Sequence, residues 1–87
     1  MSFSNKINPA LFGLPPRTVL EENENNGIVF VMRRKSRIVM KDGEKILRIR
    51  DLVMKTEKYT SFTLQTNAPV CSKTREFLES SGIRIET

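Results

Sequence analysis

Histidine and tryptophan are absent from this chain, and cysteine occurs once. Without histidine and with a single cysteine, the side chains that supply most zinc ligands are missing, so no metal and no other cofactor is expected. One cysteine cannot close an internal disulfide, which suits a reducing compartment. Long apolar runs are also lacking: the longest is Ile28 to Met32, far short of the roughly 20 residues of a membrane-spanning helix. The opening "MSFSNKINPALF" has no apolar stretch of the signal-peptide kind. The expected address is cytoplasmic, with no membrane partner.

What is present is a small basic chain of 87 residues, 38% apolar and 29% charged, with a net charge of +5. A chain this short supports one hydrophobic core, and the composition is that of a globular fold. The charge is uneven. Residues 33–58 hold ten basic against four acidic side chains, a surplus of six, whereas the rest of the chain nets minus one. A concentrated positive field favours anionic partners: nucleic acid, phosphates or acidic surfaces.

Two regions are expected. Residues 1–26 form an N-terminal arm and polar linker. In the arm, Pro9, Pro15 and Pro16 oppose regular structure and Ile7, Leu11, Phe12, Leu14, Val19 and Leu20 require cover, from the chain's own domain or from a homodimer partner. "EENENNG" follows as a solvated turn or linker. Residues 27–87 form a single α/β domain. "GIVFVM" reads as a strand buried on both faces, because its apolar residues run without alternation. "SRIVMK" reads as a second strand, joined to the first through Arg33–Ser36. In residues 43–57, Ile46, Leu47, Ile49, Leu52, Val53 and Met54 fall on one side at 100° per residue, which predicts a helix capped by Asp42. Glu44 with Arg48 and Asp51 with Lys55 add acid-before-base pairs four apart. "TSFTLQT" alternates as a strand. A helix over 69–81 starts with Pro69 in its first turn, capped by Asn67 or Ala68, and ends at Gly82. "IRIE" is an edge strand. The order β-β-α-β-α-β implies a mixed four-stranded sheet with two helices, both starting at the same end of the sheet.

Three constellations carry candidate chemistry. The basic run Arg33, Arg34, Lys35 and Arg37, with Lys41 beyond it, lies on the expected hairpin and can neutralise several phosphates, so nucleic acid is the leading partner. No aromatic residue is interleaved with the run, which points to backbone contact rather than base stacking. Thr66, Asn67, Ser72 and Lys73 surround the second helix start and form a candidate anion cup. Cys71, also at that start, is the alternative: a small thiol-dependent enzyme or redox sensor, set against a cysteine half-buried as a small hydrophobe. With no histidine to act as its base, the expectation is a binding module without catalytic residues. A structural subunit of a homodimer or larger complex is the third reading.

Overall fold

A computed structural model describes residues 4–87, with side chains from Lys6 onward. Its elements are β1 (Ser4–Ile7), a short 3-10 helix (Pro9–Phe12), β2 (Val19–Asn23), β3 (Gly27–Met32), α1 (Met40–Met54), β4 (Ser61–Thr66), α2 (Ser72–Ser80) and β5 (Ile83–Glu86). The class is the expected one, a small α/β domain with a mixed sheet and two helices, but the described residues form five strands rather than four, in the order β1-β2-β3-β4-β5. β1, β2 and β3 make an antiparallel meander, and β3, β4 and β5 run parallel. The segment that the sequence set apart as arm and linker supplies two strands, β1 and β2, to the same sheet.

Two right-handed crossovers stepping the same way across the sheet put both helices on one face. α1 and α2 pack on each other there, and Gly43 permits the approach: a Cβ at that position would lie 2.9 Å from the Thr74 methyl. Leu20, Ile28, Phe30, Phe62, Leu64 and Ile83 point from the sheet into this side, meeting Ile46, Ile49 and Val53 of α1 and Leu78 of α2. Among the described residues the opposite face carries no helix. Val29 and Val31 are therefore half-buried among Glu21, Gln65 and Arg84, not enclosed on both sides as the continuous apolar run suggested.

Four of the arm's six apolar residues find cover on their own chain: Leu20 is in the core and Ile7, Phe12 and Leu14 pack against it, whereas Leu11 and Val19 stay exposed. Phe12 meets Tyr59 edge-on at 6.4 Å between ring centroids. Burial, and secondarily the Glu22 carboxylate, raises the Tyr59 pKa above its ordinary value. The polar stretch expected as a linker is in fact the end of β2 and a tight turn. Asn23 Oδ1 accepts from the backbone N–H groups of Asn25 and Gly27, both at 2.9 Å, and Asn26 adopts φ 60°, which asparagine tolerates better than most residues. At Gly27 a Cβ would fall 2.5 Å from Ser61 Oγ and 2.8 Å from Asn23 Nδ2, so a larger residue there would displace both side chains.

Three local expectations are corrected. "SRIVMK" is not a strand, because β2 and β4 already occupy both edges of β3. Ile38 makes a single bridge to Val70, and the chain turns into α1 at Met40. α1 starts upstream of the expected position because Asp42 lies in its first turn instead of capping it, reaching back to accept from the N–H of Val39 at 3.1 Å. α2 starts downstream: the bridge holds Val70 extended, so Cys71 takes the cap and Ser72 the first helical position. The expected pairs Glu44–Arg48 and Asp51–Lys55 do not form; Asp51 instead lies 3.2 Å from Arg50 Nε, without hydrogen-bond geometry.

Candidate nucleic-acid interface

Since the expected basic hairpin is not formed, the basic run is the connection between β3 and α1, and one of its residues differs from the others. The N–H of Arg34 donates to Asn67 Oδ1 at 3.1 Å. Its guanidinium donates to Asp42 Oδ1 at 3.0 Å, and to Ser36 Oγ through Nε at 3.1 Å and through Nη2 at 3.0 Å. The Arg34 and Asp42 side chains are half-buried, at 33% and 20% exposure, so their pairing is screened less than one on the open surface. The Val39 N–H, followed by Arg34, holds the Asp42 carboxyl below its ordinary pKa against the opposing effect of burial. Arg34 is thus the staple of the loop and is withdrawn from the set of free cations.

Folding around Arg34 leaves Arg33, Lys35 and Arg37 exposed, with Lys41 exposed in the first turn of α1. Among the described residues none of these four joins an ion pair. Lys41 also lies at the positive end of a helix dipole, where a cation is unfavourable. Four like charges on nine residues repel one another, and an anion bound there would relieve the repulsion.

The structure merges the two groups that the sequence kept apart. The Ile38 N–H donates to the carbonyl of Pro69 and the Cys71 N–H to the carbonyl of Ile38, each at 2.9 Å. The basic connection is thereby zipped to the loop before α2, and the starts of α1 and α2 sit together beyond the carboxyl ends of β3 and β4. Ser72 and Lys73 are exposed beside the run and extend it. Two members of the expected anion cup are otherwise engaged. Thr66 is buried at 4% exposure and its hydroxyl accepts from the Ala68 N–H at 3.0 Å. Asn67, five residues before the helix, uses its carbonyl oxygen to tether Arg34.

Cys71 is half-buried. The backbone N–H groups of Lys73 and then Thr74 pull its thiol pKa below the ordinary value; burial opposes them, and the Thr74 hydroxyl and the Arg37 charge add to the lowering. The Cys71 side chain makes no regular cap hydrogen bond to the start of α2. The bridge between Ile38 and Val70 brings the run to the mouth of α2.

Asp42 was foreseen as a cap but not as the partner of Arg34. An acid eight residues beyond an arginine has no helical or strand register that would announce the pair, and only the turn between them brings it about.

No family model matches the sequence, and no curated protein matches it. Among solved structures, a repair endonuclease from Pyrococcus abyssi is similar in fold, with a TM-score of 0.65 at 13% identity, over 79% of this chain and 30% of that one. The chain therefore spans less than a third of that neighbour, and at this identity the likeness is one of fold.

Proposed function

We propose that the chain is a binding module for nucleic acid, held through the phosphate backbone by Arg33, Lys35, Arg37 and Lys41, with Ser72 and Lys73 at the border of the contact. The observation that carries this reading is the division of labour within the run: Arg34 is fixed by Asp42, Ser36 and Asn67, while its neighbours project without partners. Cations whose backbone is held in an ordered loop lose less freedom on binding than cations on a flexible tail, so more of their attraction is kept as affinity. With no exposed aromatic side chain in the run, contact is to phosphates and sequence readout is weak. That a chain of similar fold is a repair endonuclease agrees with the class of partner, and it gives no residue here a catalytic role. The module acts as a ligand holder and not as a catalyst. The arm lends Ile7, Phe12 and Leu14 to its own core, and this proposal needs no second copy.

The test is fluorescence anisotropy of a labelled duplex across a salt series. Neutralising about four phosphates gives a slope of log affinity on log salt of about −3 to −4. Replacing Arg33, Lys35 and Arg37 by Ala reduces that slope by about 2 to 3 and leaves thermal unfolding unchanged. Salt-independent binding, or full binding by the triple variant, rejects the proposal.

A second reading has one observation in its favour, the lowered thiol pKa of Cys71 produced by the α2 amides and Arg37. In that reading the thiolate reacts with an oxidant or an electrophile next to the basic run.

A further inference from the structure

Away from the basic connection, the flank of α1 and the loop that follows the 3-10 helix enclose a hollow of about 360 Å³. Its floor is apolar: Phe30 and Met32 from β3 and Ile49 from α1 line it, and Phe30 and Ile49 keep only 6% and 5% of their surface exposed. Leu52 forms part of the wall and is 39% exposed, although it falls within the apolar arc of the helix. The rim carries Arg17 from the loop and Lys45 and Arg48 from α1, and no carboxylate lines the hollow. Among the described residues none of the three cations joins an ion pair. Arg48 is free because the expected pair with Glu44 is not made.

We infer that this groove is a binding site for a small organic acid with a compact apolar body, an aryl or short acyl carboxylate or phosphate ester. The body would rest on Phe30, Met32 and Ile49, and the acid group would meet Arg17 and Arg48. Size and charge both select this occupant. Small-molecule sites run from roughly 300 to 1,000 Å³ and combine apolar walls with a few placed polar groups. A protein partner requires about 800 Å² of contact on each side, and the exposed apolar residues of the groove are Leu52 and Pro15 alone. Three unpaired cations with no acid among them disfavour a neutral or cationic guest. The groove shares no residue with the proposed nucleic-acid contact and does not depend on it, although Lys41 of that contact continues the line of Lys45 and Arg48 along α1.

Nuclear magnetic resonance of the full, 15N-labelled chain tests this, with 1-naphthyl phosphate as the probe and neutral 1-naphthalenemethanol and inorganic phosphate as controls. The expected result is saturable shifts of the amide signals of Thr18, Phe30 to Met32 and Lys45 to Leu52, with each control binding at least about tenfold more weakly. Arg17→Gln and Arg48→Gln each weaken the probe about tenfold, as loss of a hydrogen bond to a charged group does. The Arg33, Lys35 and Arg37 triple Ala variant binds the probe as the parent chain does, so this site and the nucleic-acid reading can fail independently. Absence of shifts at millimolar probe, shifts confined to residues 33–41 and 72–73, equal binding of either control, or unaltered binding by Arg48→Gln overturns the inference.

Discussion

β3 leaves the sheet at both ends through polar segments, and the two behave oppositely. At its start, the turn at Asn23–Gly27 uses its side chains on itself: one asparagine oxygen satisfies two backbone donors, and a second asparagine takes the left-handed conformation. At its end, the connection through Arg33–Val39 assigns one arginine to internal bonds and leaves three cations facing water. A loop that satisfies its own backbone is explained by folding alone. One that collects like charges next to two helix starts carries a cost in folding that an anionic partner would offset.

This contrast is sharpened first at the turn, where the largest effect is expected. Asn23→Ala leaves two backbone N–H groups without their acceptor and lowers stability by roughly 1–2 kcal/mol, measured by urea unfolding, while affinity for a duplex stays as in the parent. A variant that lost binding without losing stability would move function to the turn and reverse the comparison.

At the opposite end, Asp42→Asn costs about 1 kcal/mol, the usual value of a carboxylate serving a helix start, and it loosens the basic loop. The folded-state pKa of Asp42 is depressed, so its stabilisation is present above the ordinary value of 3.8 and is lost as pH falls through the lower folded value. The stability gap between the parent chain and the variant is therefore full at pH 7 and closes in acid below about pH 4. A gap that widened on acidification would contradict the assignment.

The smallest effect is at Cys71. Its alkylation rate plotted against pH should inflect below the ordinary thiol value of 9.0, and Arg37→Ala should move the inflection up slightly, since Arg37 is the last of the lowering contributions. An inflection at or above the ordinary value removes the thiolate reading, and indifference to Arg37 separates the run from α2.

The parts of the fold that were legible in the sequence are those with a clear period. The apolar face of α1, the alternation of β4 and the final edge strand follow from spacing alone. The run "SRIVMK" misled because Ile38 is buried like a strand residue while holding only one bridge; its apolar character comes from plugging the core between the two helix starts. The strand β2 was hidden for a related reason. Val19 and Leu20 precede three polar residues, and the alternation that would mark them is visible only once Leu20 faces the core and Glu21 the bare face. In the candidate site, the cations themselves were legible from their crowding. The removal of Arg34 from that set depends on the turn that brings Asp42 to its guanidinium, and the joining of the run to Ser72 and Lys73 depends on contacts across 33 residues of sequence, such as that of the Arg34 N–H with Asn67, which no local pattern encodes. The cationic stripe Lys41, Lys45 and Arg48 does have helical spacing and was there to be found; what it lacked was the arm folding back to make a groove beside it.

The central claim is that the unpaired cations at the carboxyl end of β3 meet phosphates. The most direct measurement is titration of the 15N-labelled chain with a short duplex at low salt. The account predicts shifts at Arg33 to Lys41 and at Ser72 and Lys73, reversed by added salt, with Asn23 to Gly27 silent. Shifts centred on the turn or on the bare face around Val29 and Arg84, with residues 33–41 unmoved, would contradict it.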